Sequence, residues 1–216
     1  MPLFPDKETC LIRIEAFARL ANGREVRDLH SIHSHFEKFQ TRQALLDKEE
    51  LIGLVLFRWR AYFNQPGSRN IHFLNDFCQN PNNVKIFFEI FNFVNKNSSL
   101  KQVLELRLQL SLIYTQFSVI LLQNNVNSHI LTISKTMLVL LGCTVGFDSK
   151  VREAIAIANP NLDVPYGVWT FEHFINVQLY IADEQVKWET SNGLMANLLP
   201  GVPIGQIMDR ILFINK

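Results

Sequence analysis

The chain has 216 residues, 48% of them hydrophobic and 11% aromatic, with seventeen Phe, so it holds ample material for a core and is not a disordered polymer. Twenty-one Lys and Arg against twenty Asp and Glu leave a net charge of +1, which excludes binding to nucleic acid by overall basicity and would confine that role to a local patch. The three cysteines, Cys10, Cys78 and Cys143, have no CxxC spacing and adjoin apolar runs, the pattern of reduced, buried thiols.

Along the chain, Asp6 is placed to cap a first helix whose apolar positions, Cys10, Leu11, Ile14, Phe17, Ala18 and Ala21, recur at three- and four-residue steps until Asn22-Gly23. A second helix follows through Val26, Leu29, Ile32, Phe36 and Phe39. His30 and His33 share its face, but only Glu37 could join them as a metal ligand, so core or surface histidines are the simpler reading and no metal is expected. Asp47-Lys48-Glu49-Glu50 opens a helix running to Phe63, its acids where the helix dipole favours them. The break Asn64-Gln65-Pro66-Gly67-Ser68 is the best candidate boundary. One domain over 1–216 is expected, with lobes 1–64 and 68–216 as the alternative. Arg58, Arg60 and Arg69 alternate here with Trp59, Tyr62 and Phe63. That mixture suits phosphate contact and base stacking, and equally a core face backed by solvated or paired arginines.

A short helix over 70–77 and an aromatic one from Val84 to Val94 come next, the latter with Ile86, Phe87, Ile90, Phe91 and Val94 on one side. Leu104 to Leu112 alternates Leu with polar residues, which is the strand period. Its residues are nevertheless strong helix formers without β-branching, and one long helix from Leu100 to Gln123 is expected. Thr132 to Leu141 reads as an apolar helix, Gly142 to Phe147 as a turn, and Phe147-Asp148-Ser149 as the start of another helix. After an irregular loop between Asn159 and Gly167, one or two helices span Val168 to Leu194, and Ile204 to Leu212 forms a last amphipathic helix. The sum is an all-α fold of about ten helices. The opening residues lack a basic stretch followed by an apolar one, and no apolar run nears the ~20 residues of a bilayer span. A cytoplasmic protein without membrane contact is expected.

The acid–amine pair of interest is Lys135 and Asp148. A helix rises ~1.5 Å per residue, so Lys135 lies roughly 10 Å back from Leu141. The loop 142–147 can stretch ~3.3 Å per residue, enough to return Asp148 to that level. A lysine among Ile133, Met137, Leu138 and Val139 loses hydration, which favours the neutral, nucleophilic amine. A carboxylate beside it can take a proton or stabilise a developing cation. The plainer alternative makes Asp148 a helix cap and Lys135 a solvated first-turn residue.

The order Ser134-Lys135, apolar helix, Phe147-Asp148-Ser149 resembles the catalytic end of helix-hairpin-helix DNA glycosylases. It is also similar to uncharacterised glycosylase-like helical proteins of bacteria and phages, which end in a helix like Ile204-Gly-Gln-Ile-Met-Asp-Arg-Ile-Leu-Phe213. The resemblance covers about a third of the chain. It implies that Lys135 matches a nucleophile and Asp148 the assisting acid, with Arg58, Arg60, Lys150 and Arg152 as candidate phosphate contacts. Two features depart from the pattern. Asn127-Ser-His-Ile-Leu-Thr-Ile133 stands where the hairpin's Gly-x-Gly would be, and the interval from Lys135 to Asp148 is short. No nucleotide loop, HExxH, nucleophile elbow or zinc cluster is present, so no cofactor is expected. The expected partner is DNA or RNA; the alternative is a non-enzymatic helical module that binds a protein or a second copy of itself.

Overall fold

The computed structural model describes residues 1–20, 23–58, 73–97, 99–121 and 129–214. Their helices are α1 (Lys7–Leu20), α2 (Arg24–Lys38), α3 (Arg42–Asp47), α4 (Glu49–Arg58), α5 (Phe73–Phe77), α6 (Pro81–Lys96), α7 (Leu100–Leu104), α8 (Arg107–Leu121), α9 (His129–Leu141), α10 (Ser149–Ala158), α11 (Phe171–Asn192) and α12 (Ile204–Phe213), with a 3₁₀ turn at Met195–Leu198. No strand occurs among the described residues, and the fold is all-α as expected. No described helix is long and apolar enough to cross a membrane. Trp59 to Phe63, Arg60, Arg69 and the break at 64–68 lie outside the described residues.

Local chemistry sets several boundaries. Asp6 Oδ1 accepts from Thr9 N at 3.0 Å, so α1 starts where its cap places it. Thr41 and Thr170 cap α3 and α11 through their hydroxyls, and the Asn80 amide oxygen caps α6, with Pro81 in the first turn. The single long helix expected over 100–123 is two. α7 packs on α11 while α8 packs on α6 and α9, and the chain turns at Glu105-Leu106 to serve both. Leu110, Ile113, Tyr114 and Phe117 face inward at helical spacing, whereas Leu108 and Leu112 of the alternating run point to solvent.

Two helices form the axis of the molecule. Every residue of α9 except Leu131 is buried, and α2, α4, α6, α8 and α12 surround it. α12 is buried from Ile204 to Leu212 and is flanked by α1, α9 and α10. The sequence reads α12 as amphipathic, yet its polar side is also covered, because Gln206, Asp209 and Arg210 each find an interior role.

Backbone contact joins the two. Gly205 N donates to Gly142 O at 3.2 Å, and a Cβ on Gly205 would stand 2.4 Å from Thr144 O. Gly142 takes φ +63° against the Pro203 ring, where a Cβ would lie 2.3 Å from Pro203 Cβ. Only glycine allows this approach. The segment after α9 therefore threads between α9 and the start of α12, and that path positions the site.

Candidate functional site

The loop 142–147 is buried, so its amides must be met inside the protein. Three helices supply the partners. From α9, Ser134 Oγ accepts from Phe147 N at 2.9 Å while donating to Ile130 O at 2.6 Å. From α11, Gln178 accepts from Val145 N at 3.3 Å and donates to Val145 O at 3.1 Å, a two-point match to both backbone polar groups of one residue. From α12, Asp209 Oδ1 accepts from Gly146 N at 2.9 Å.

Held in this way, the chain delivers Asp148 to Lys135. Lys135 Nζ lies 3.2 Å from Asp148 Oδ2, with the two side chains 7% and 11% exposed. The carboxylate divides its oxygens. Oδ1 accepts from Lys150 N at 2.9 Å and Val151 N at 3.0 Å, which caps α10, and Oδ2 faces the ammonium. Asp148 therefore caps α10 and meets Lys135 at the same time, and Lys135 is not a solvated first-turn residue. α9 begins at His129, three residues earlier than the expected Thr132, and the whole turn carrying Lys135 is inside the protein.

A third charged group completes the cluster. Asp209 is buried, and a Cβ on Gly146 would lie 3.0 Å from Lys135 Cγ and 3.2 Å from Asp209 Oδ1, so glycine lets lysine and aspartate close on the same point. Burial pushes the Asp209 carboxyl up to about 7, and the Asp148 charge adds to that, against the opposing pull of Lys135, the Gly146 amide and Arg210. Phe213 covers this end, its ring centroid 5.9 Å from Lys135 Nζ and 4.4 Å from Lys150 Nζ. Sequence reasoning assigned Asp209 no role. The available signal was an Asp-Arg pair inside the otherwise apolar run Ile204–Phe213.

Lys150 and Arg152 flank the pair on α10. Lys150 is exposed, and Arg152 is buried beneath Tyr166 and donates to Val164 O at 3.2 Å. Arg58 is not brought to this cluster by any contact described here. It is on α4, paired with Asp28 at 2.5 Å. Arg60 lies outside the described residues.

His33 of the histidine pair on α2 is engaged inside the protein. His33 is buried, its Nε2 donates to Val139 O at 2.9 Å, and burial lowers its pKa to about 4. Among the described residues no group of three His, Cys, Asp or Glu could hold a metal ion. Cys10, Cys78 and Cys143 are buried free thiols, pushed by burial up to about 12, 11 and 12 respectively, far from thiolate reactivity at neutral pH.

No family model, curated protein or solved structure matches this chain.

Proposed function

We propose that this protein acts on nucleic acid in the manner of a glycosylase or lyase, with Lys135 as nucleophile and Asp148 as assisting carboxylate. The observation that supports this reading is the 3.2 Å approach of Lys135 Nζ to Asp148 Oδ2, made across a loop that three helices hold in place. In the proposed step the Lys135 ammonium first gives one proton to a carboxylate of the cluster, and the amine so freed forms a bond to the anomeric carbon of a deoxynucleotide. The glycosidic bond breaks with its electron pair leaving on the base, which takes up a proton. The two remaining amine protons are relayed by the carboxylates, one to the departing base and one to the ring oxygen, so that the sugar opens to an imine, which water hydrolyses to the free amine and an aldehyde. Asp209, with its carboxyl at about 7, is matched to exchanging a proton near neutrality. Substrate reaches the amine by displacing Phe213, the partly buried ring at that end of the cluster.

Borohydride trapping on abasic and damaged-base duplexes tests this. A covalent adduct is expected for the wild type and none for Lys135→Ala. Absence of any wild-type adduct, or its persistence in Lys135→Ala, removes the lysine chemistry.

A second reading has its own support. Leu108, Leu112 and Val119 are exposed along α8, an apolar surface suited to a non-enzymatic protein-interaction module. In that case the Lys135 cluster serves only to fasten the loop. Sedimentation of wild type and Leu108→Glu separates the two, since the interaction reading requires a self-association or partner complex that the charge abolishes.

A further inference from the structure

The strongest unassigned feature outside the charge cluster is Tyr166. It is 74% exposed, yet it sits on a loop fastened on both sides. Before it, Arg152 donates to Val164 O at 3.2 Å and the Trp169 indole donates to Pro165 O at 3.1 Å. After it, Gly167 O accepts from Ile130 N at 3.2 Å, and Trp169 O accepts from the Tyr114 hydroxyl at 2.8 Å. An exposed ring on so constrained a backbone loses little conformational entropy when something stacks on it.

Its inner face is already occupied. The Arg152 guanidinium carbon lies 3.1 Å from the ring centroid, and Arg152 is only 6% exposed beneath it. A cation on one face of an aromatic ring draws the π-density toward itself and leaves the opposite face electron-poor. Such a face disfavours a second cation or the C–H edges of a sugar. It favours the broad π-surface of a heteroaromatic base. The location agrees, because Arg152 stands one helical turn after Asp148, the carboxylate that meets Lys135, with its backbone N–H donating to Asp148 O at 3.0 Å, and the exposed Lys150 adds positive charge at the same end of α10.

We propose that Tyr166 is a stacking post for one unpaired nucleobase, backed by Arg152, beside the Lys135–Asp148 pair. This rests on the nucleic-acid reading above and names the form of nucleic acid: a strand with a base turned out of its stack. Lys150 meets the backbone phosphate of that strand.

The test is fluorescence-anisotropy titration of the full chain with a labelled single strand of mixed sequence and with an equally long strand of baseless deoxyribose phosphates. Stacking on one aromatic side chain is worth ~1–3 kcal/mol per base, so Tyr166→Ala should weaken binding to the base-bearing strand by about 5-fold to 150-fold. Tyr166→Phe should bind like wild type, and all three proteins should bind the baseless strand equally. Thermal melts of each variant confirm folding, which a largely exposed side chain leaves intact. Unchanged affinity of Tyr166→Ala for the base-bearing strand overturns the stacking post and leaves the trapping result standing. An equal loss on both strands overturns it too, by showing that no base is read. Wild type that binds neither strand overturns the nucleic-acid reading together with this one.

Discussion

The molecule contains two interiors built on opposite principles. One is the aromatic region between α2 and α6, where Phe36 meets Phe87, Phe88 and Phe91 edge to face at 5.6, 6.2 and 5.7 Å and Phe77 reaches Phe87 and Phe117. The other is the loop between α9 and α10, where hydroxyl, amide, carboxylate and ammonium groups do the holding. The first gains from area removed from water and tolerates small shifts, because dispersion and burial have no strong direction. The second gains little net energy per bond but loses heavily when one partner goes, since an orphaned buried group keeps its full desolvation cost. The aromatic interior therefore sets how stable the fold is, and the polar one sets where Asp148 stands.

The contrast can be broken most severely at Gly205. Gly205→Ala places a methyl 2.4 Å from Thr144 O and 2.5 Å from Gly142 O, both backbone atoms that cannot rotate away. A loss of about 4 kcal/mol or more is expected, which is most of the stability of a domain near the low end of the usual range of about 5–15 kcal/mol. Phe87→Ala, in the aromatic interior, should cost about 3–5 kcal/mol in urea denaturation, while the Lys135 environment should remain intact. Gln178→Leu is the complementary test. It strands both polar groups of Val145, should cost about 1–3 kcal/mol, and should disturb the Lys135–Asp148 pairing more than its stability cost suggests.

Titration sharpens the same distinction. His33 folds neutral, so its stabilisation is complete above pH 6.5 and is lost as pH falls through about 4, a swing of about 3 kcal/mol. Asp209 behaves oppositely. Its raised pKa means that its contribution is present below 3.8 and is lost as pH rises through about 7. The two slopes oppose each other between pH 4 and 6.5. His33→Gln should therefore become less stable relative to wild type as pH rises across this range, and Asp209→Asn less stable relative to wild type as pH falls. Unfolding midpoints at several pH values read both tilts. Smallest of all is Arg107→Ala, which removes an exposed ion pair with Glu172 and should shift stability by less than about 1 kcal/mol.

The aromatic interior was legible because its residues repeat at helical spacing. Of the five residues that the periodicity of 84–94 puts on one side, Phe87, Ile90, Phe91 and Val94 are buried, whereas Ile86 is only partly covered and Phe88 is buried in addition. The class of the fold and the caps at Asp6 and Asp148 follow from equally local rules. What local rules cannot convey is what comes from elsewhere in the chain. The break at Glu105 exists because α7 and α8 have different neighbours. The burial of Asp209 and Arg210 exists because α1, α9 and α10 close around α12, so a polar stripe that would mark solvent on a peripheral helix marks a contact here. The meeting of Lys135 with Asp148 was geometrically allowed by helix rise and loop reach, but its depth depends on Gln178 and Asp209, far along the sequence.

Those distant fasteners carry a consequence for the order in which the protein comes into being. On the ribosome, Lys135 and Asp148 emerge well before α11 and α12, two of the three helices that hold their loop. Gly146 N has no Asp209 to bond until α12 has been synthesised and has docked. A nascent chain that stops short of Ile204 thus holds both members of the pair without the last part of the frame that joins them. Assembly of the reactive end is tied to the arrival of α12, and a truncated product carries the residues but not the arrangement.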